Sequence, residues 1–221
     1  MSKNLCHRGR PEGRKSYLYP FLFIALSSIL GLRTTISLAE STLISASSTD
    51  RILVSPFPSG GDFTLRTSNQ SLSLNALRGQ VVVLLFGYLS CPETCPRMFG
   101  TLVKVSEALN SQEKSGVHIL FITLDPERDS PQKLEAYLSR FPFRATGLTG
   151  SQATIDDVVD RYGAQYHRVE LPGSKIKYAL EHSSAIYLID TNGQLKSLFR
   201  YDASPKVLAE EIRNLQASRS P

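Results

Sequence analysis

The sequence predicts a three-layer α/β sandwich with a mixed central sheet and a small added N-terminal hairpin. Three observations carry this. The stretches "VVVLLFGYL" (81–89) and "GVHILFITL" (116–124) are continuously apolar, as strands buried on both faces are. Each is followed by a segment whose apolar residues recur at helical spacing. The last third instead offers two strands joined by an Asn192-Gly193 turn, so an antiparallel hairpin closes a sheet that begins parallel.

The elements follow in order. Residues 40–60 are rich in Ser, Thr, Pro and Gly and read as a flexible tether. "DFTLRTSNQSLSLNAL" alternates around an Asn-Gln turn and reads as the hairpin. After the first long strand, Met98, Leu102, Val105 and Leu109 mark a helix over 95–110. After the second, Ser130-Pro131 reads as an N-cap followed by proline at the first helical position, opening a helix to about Phe141. Residues 144–148 read as a short strand, and Ile155, Val158, Val159 and Tyr162 as another helical stripe. "AQYHRVEL", "SAIYLID" and "QLKSLFRY" read as strands, and Ser204-Pro205 opens a last helix to about Leu215. A thioredoxin-like arrangement fits this order. The expected divisions are an export segment at 1–39, the tether at 40–60, the folded domain at 61–216 and a tail at 217–221.

The formal net charge of +5 invites a nucleic-acid reading, and its distribution removes it. Residues 1–39 hold six of the 25 basic and one of the 20 acidic residues, leaving 19 of each in the body. That N-terminus has the pattern of an export signal: a positive flank, then the apolar "YLYPFLFIALSSILGL" (17–32). Ser37-Leu38-Ala39 matches a small-x-small cleavage site. At 1.5 Å per residue the 16-residue run spans about 24 Å, short of a bilayer core of about 30 Å. A stretch carried on to Leu38 spans it but includes Arg33. The chain is therefore expected in the periplasm if cleaved near Ala39, or on the periplasmic face of the inner membrane if residues 17–38 anchor it. Only Cys91 and Cys95 fall in the exported part, because Cys6 precedes the apolar run.

Those two cysteines stand in "FGYLSCPETCPRMFG", where the first buried strand gives way to a helix. A helix start presents free amide donors and partial positive charge, which stabilise a thiolate. Four residues apart on a helix, the two side chains share a face, with Cβ atoms about 5–6 Å apart. Three chemistries fit. A structural disulfide closes only a very short loop, with small chain-entropy gain. A redox dithiol suits the helix mouth, although redox pairs usually have two intervening residues and this one has three. A metal clamp needs a third ligand, and two thiolates favour soft ions, above all Cu(I). Three histidines can supply that ligand. His118 lies inside a strand, where histidine is commonly a satisfied core or sheet residue. His167 lies beside Arg168 in a polar strand. His182, in "YALEHSSAIYLID", sits at a loop-to-strand junction that a thioredoxin-like fold brings to the helix mouth. Two thiolates and one imidazole make a trigonal set for Cu(I), extendable by a further ligand for Cu(II). Asp125 closes the second inner strand and reads either as a turn residue or as a carboxylate that orients His182.

Four motifs in order and spacing, "FGYLSCPETCP", "FITLDPERDSP", "GLTGS" and "EHSSAIYLIDTNG", resemble the SCO1/SenC family of copper-handling proteins. The resemblance runs from about Gly60 to Leu215. It implies a thioredoxin-like domain, usually anchored by one N-terminal helix. It also implies copper binding in assembly of the binuclear copper centre of cytochrome c oxidase, some members acting as thiol-disulfide reductants on the copper-bearing subunit. The family's two cysteines map onto Cys91 and Cys95, its ligand histidine onto His182 and its aspartate onto Asp125. Glu181 stands where the family commonly has aspartate, and Leu89 where it commonly has threonine. The expected partner is the copper-bearing oxidase subunit or another copper or thiol protein. The competing expectation is a thiol-disulfide oxidoreductase that acts on exported proteins without delivering metal.

Overall fold

The structure is a computed structural model, and it describes residues 49–218. The export segment, its apolar run, Cys6 and the cleavage site lie outside the described residues. Among the described residues, no helix is long and apolar enough to cross a membrane.

Strands β1 (Thr64–Arg66) and β2 (Ser71–Ser73) form the expected antiparallel hairpin, followed by a 3-10 turn at Leu74–Leu77. Then come β3 (Val81–Gly87), helix α1 (Thr94–Ala108), α2 (Ser111–Ser115), β4 (Val117–Thr123), α3 (Pro131–Leu138) and β5 (Ala145–Leu148). Helix α4 (Gln152–Arg161), strands β6 (Tyr166–Glu170), β7 (Tyr178–His182), β8 (Ala185–Ile189) and β9 (Leu195–Arg200), and helix α5 (Pro205–Ala217) complete the body. The five-stranded sheet has the order β5-β4-β3-β8-β9. Its first three strands are mutually parallel, whereas β8 pairs antiparallel with β3 and β9 antiparallel with β8. This is the mixed sheet the sequence predicts. Every residue of β3 and β4 is buried, which is why neither strand alternates in polarity.

Successive strand residues face opposite sides of a sheet. Gly87 lies against Cys95 of α1, whereas Phe86 meets Tyr162 and Tyr187 edge-on, with centroids 6.2 and 5.4 Å away. Helices α1 and α5 pack together on the first side, with Met98, Phe99 and Leu102 buried beneath α1. Each such side chain contributes about 1.5–3 kcal/mol of apolar burial. The two Ser-Pro helix starts are as read, with prolines opening α3 and α5 and Ser130 Oγ accepting from Lys133 N–H; Ser151 Oγ, not anticipated, caps α4 by accepting from Thr154 N–H.

Three features differ from expectation. Helix α3 stops at Leu138 rather than near Phe141, because Pro142 disfavours helical backbone at the residue before it. Helix α2 is a short addition held by an Asn110–Glu113 capping box. Strand β7 pairs with β6 as a separate two-stranded sheet outside the main one, with Tyr166 opposite His182. Residues 49–60, read as tether from composition, run along the body. Ile52 N–H donates to the Leu198 carbonyl and Gly60 N–H to that of Arg161.

Candidate metal centre

The loop between β3 and α1 carries both cysteines. Cys91 N–H turns back to the Tyr88 carbonyl at 3.2 Å. Helix α1 then starts without a side-chain cap from Glu93. The Cys91 sulfur takes that place, accepting from the Cys95 N–H at 3.4 Å. Pro96 falls in the first turn, where a missing amide proton costs no intrahelical bond. Gly87 leaves space for the Cys95 sulfur: a Cβ there would collide with Sγ and lie 2.9 Å from Phe121 Cε2. Both thiols are reduced and buried, Cys91 at 9% exposure and Cys95 at 2%.

His182 arrives from the other side, at the end of β7. Its Nε2 lies 3.8 Å from the Cys91 sulfur and 3.9 Å from the Cys95 sulfur. Its Nδ1–H donates to the Ser183 carbonyl at 3.1 Å, which leaves Nε2 as the ring nitrogen that faces the sulfurs. The three donor atoms lie within 4.8 Å of one another, and among the described residues this is the only such group of His, Cys, Asp or Glu side chains. An ion bonded at about 2.3 Å to sulfur and about 2.0 Å to nitrogen, with ligands about 120° apart, sets sulfur and nitrogen about 3.7 Å apart. The two observed separations are within a few tenths of that.

The sulfurs differ in acidity. A hydrogen bond from the Cys95 thiol is the largest effect on Cys91, and contacts with the imidazole and with the Cys95 and Glu93 amides add to it. Together they outweigh burial and bring the Cys91 thiol down to about 3. Cys95 is held protonated, first by that same hydrogen bond, then by burial and by the neighbouring thiolate. The resting pair is one thiolate and one thiol sharing a proton, and a soft cation can replace that proton.

The sequence pattern of the SCO1/SenC family matches residues 54–217. This chain belongs to the SCO1/SenC family. An SCO2-like protein of Rickettsia conorii is 39% identical over 156 residues, covering 70% of this chain and 76% of that protein. Bradyrhizobium japonicum ScoI, solved with copper bound, is 30% identical with a TM-score of 0.63, over 71% of this chain and 98% of that one. Yeast Sco1 with copper bound is 29% identical with a TM-score of 0.65, over 74% and 91%.

In this SCO1/SenC chain the remaining predicted residues fall into place as follows. Asp125 is buried, and its carboxylate partners are Arg128 and, at 2.7 Å, the Tyr178 hydroxyl. It does not reach the imidazole, whose Nδ1 is taken by Ser183. Arg128 also donates to the carbonyls of Ile176 and Tyr178, both at 3.0 Å. Asp125 thus holds the start of the strand that ends in His182, acting on the backbone rather than on the ring. His118 is a core residue, bonded to Thr146 Oγ1 at 2.8 Å and lowered to about 4 by burial. His167 is exposed and pairs with Glu181 at 2.9 Å.

Two site residues escaped the sequence reading. Asp129 is buried and accepts from Leu89 N–H at 2.9 Å and Thr123 Oγ1 at 2.7 Å, tying the cysteine loop to the end of β4. Tyr88 accepts from Leu180 N–H at 3.3 Å and sets its ring edge-on to His182 at 5.9 Å. The second aspartate of "DPERD" was the available signal for the first. For Tyr88 the sequence held none.

Proposed function

We propose that this chain is an exported copper chaperone that holds one Cu(I) between Cys91, Cys95 and His182 and passes it to the binuclear copper site of cytochrome c oxidase. The observation that carries this is the near-equal distance of His182 Nε2 from both sulfurs, 3.8 and 3.9 Å. Relatives solved with copper bound, at 30% and 29% identity, support the same cargo here. The family resemblance supports the oxidase as destination. The positive flank and apolar run at 17–32 support delivery on the periplasmic side, by a domain at 61–216 either anchored through 17–38 or released near Ala39. A three-ligand site lets an acceptor thiolate add before an old ligand leaves, so transfer proceeds by stepwise exchange. A fourth ligand adapts the same site to Cu(II).

The test is copper loading of the full chain, reduced and without oxygen. One Cu(I) per chain is expected at the site, with loss of that copper in Cys91→Ser. His182→Ala should bind at least tenfold more weakly while its site thiols still exchange disulfides. Parent-like affinity in that variant would remove His182 from the ligand set.

The acidity of Cys91 favours a second reading on the same pair, reduction of a partner's cysteines. The Cys91 thiolate attacks a partner disulfide and expels one partner thiolate. Cys95 then loses its proton, attacks the Cys91 sulfur and expels the other. The chain ends with a Cys91–Cys95 disulfide and the partner with two thiols. Turnover of a peptide disulfide by the metal-free protein would distinguish this from copper delivery alone.

A further inference from the structure

The far end of the β6–β7 hairpin is a turn, residues 172–177, in which every residue is exposed. At its tip Ile176 stands 46% open to solvent between Lys175 and Lys177. A single exposed isoleucine is ordinary. What sets this one apart is the turn that holds it. Leu171 N–H donates to the Lys177 carbonyl at 2.7 Å and Lys177 N–H to that of Ser174 at 3.1 Å. The Ile176 carbonyl accepts from Tyr178 N–H at 2.7 Å and from Arg128 at 3.0 Å. Lys177 has φ +62°, and among the described residues it is the only non-glycine with positive φ. Glycine takes that conformation without strain, yet a lysine stands there, fixed by its neighbours' hydrogen bonds. The carboxylates of the hairpin do not neutralise the tip. Glu170 is engaged by Arg168 at 2.5 Å and Glu181 by His167 at 2.9 Å. Lys175 and Lys177 form no ion pair among the described residues.

We infer, on the copper-delivery reading above, that Lys175, Ile176 and Lys177 are a docking prong for the protein that accepts copper. That acceptor meets the prong with an apolar depression bordered by carboxylates. Five residues of strand lead from Lys177 to His182, about 16 Å at about 3.3 Å each. A partner patch of about 800 Å² has a radius of about 16 Å, so one centred on the copper ligands extends to this turn. The two unpaired cations steer an acidic face to the copper mouth, and burial of Ile176 slows its departure. A held turn with one apolar side chain suits a protein surface better than a bilayer, which takes up a broad apolar face. Arg128 holds both this turn and Asp125, so the docking point and the support of the ligand strand share one side chain.

The probe is the soluble copper-bearing domain of the oxidase subunit, purified without copper and mixed with the Cu(I)-loaded full chain. Copper transfer should be second order and should slow at least tenfold between about 20 and about 200 mM salt. Lys175→Glu with Lys177→Glu should slow it at least tenfold at low salt and remove the salt dependence, whereas Lys175→Arg with Lys177→Arg should match the parent. Ile176→Ser should slow it at least threefold. Against a Cu(I) chelator all these variants should hold copper as the parent does, since none replaces a ligand. The chain has no tryptophan, so Ile176→Trp puts a single reporter at the tip. Its emission should shift to the blue with the copper-free domain and stay unshifted with phosphatidylglycerol vesicles. The inference is overturned if the charge-reversed pair transfers copper as fast as the parent, if the reporter ignores the domain, or if it answers to vesicles instead. A parent that passes no copper while the reporter still answers to the domain would refute delivery and support the docking face.

Discussion

Gly87→Ala is the smallest change that tests the metal centre, because it adds one methyl group and removes no ligand. The new Cβ would point at Cys95 Sγ and lie 2.9 Å from Phe121 Cε2, inside the ordinary carbon–carbon contact of about 3.5–4.0 Å. Phe121 is fully buried and stacks edge-on with Phe99 at 5.4 Å, so it cannot give way alone. The sulfur must move, or α1 must. Overpacking of this kind costs about 1–3 kcal/mol. At about 2–4 °C per kcal/mol for a domain of this size, the melting temperature should fall by about 2–12 °C. Copper affinity should fall further than stability explains, because the displaced sulfur leaves the position 3.9 Å from His182 Nε2. The assay is competition with a Cu(I) chelator at a temperature where the variant is fully folded, beside a thermal melt. A folded variant that binds copper like its parent would show that Cys95 does not need this seat, and the assignment of the trigonal site to this arrangement of side chains would fail.

Other outcomes follow from the same geometry. Because Cys91 is held near 3, its alkylation by iodoacetamide should be nearly independent of pH from about 5 to 8, whereas Cys91→Ser should leave a thiol that reacts only in alkali. The stability of the reduced protein should change with pH in a definite sense. Cys91 is lowered in the fold, so its contribution is fully present above the unfolded thiol value and is lost as pH falls toward about 3. Cys95 is raised, so its contribution is lost as pH climbs past the unfolded thiol value. Denaturation midpoints, taken relative to Cys91→Ser with Cys95→Ser, should rise from pH 5 toward 9 and turn over beyond it; a flat difference would refute the shared proton. Asp129→Ala leaves the buried Thr123 hydroxyl proton and the Leu89 N–H without their acceptor, so a loss of about 2 kcal/mol is expected by urea unfolding. Arg128→Met leaves the Asp125 carboxylate buried without its cation and should cost about 2 kcal/mol, with weaker copper binding as the β6–β7 hairpin loosens.

What the sequence made legible is local. The apolar runs of β3 and β4, the Ser-Pro helix starts and the hairpin turn at Asn192-Gly193 each declare themselves within a dozen residues, and the structure has them all. The cysteine pair at a strand-to-helix passage was legible for the same reason. Strand β7 was not, because "YALEH" is a short polar-edged stretch whose only sheet partner is β6, and pairing of that kind leaves no continuous apolar run. The sequence left Asp125 open between a turn residue and a carboxylate on His182. Sequence can place a carboxylate near an imidazole, but only the fold shows that Arg128 and Tyr178 intercept it first.

That interception gives the short turn after β4 control over both halves of the site. Asp125 and Asp129 stand four residues apart and are both buried. Asp129 holds the cysteine loop through Leu89 N–H, and Asp125, with Arg128, holds the strand that ends in His182. The sulfurs and the imidazole come from chain positions some ninety residues apart, and an entering ion alone would have to order both. With both anchored to one turn, the sulfur–nitrogen separation is set before any ion arrives. Tyr88 adds a direct tie, since it leaves the cysteine loop and accepts from Leu180, two residues from His182. The spacing of the two halves is thus set by the fold itself, which matters most for β7, because that strand pairs only with β6 and its own sheet could not hold His182 in place.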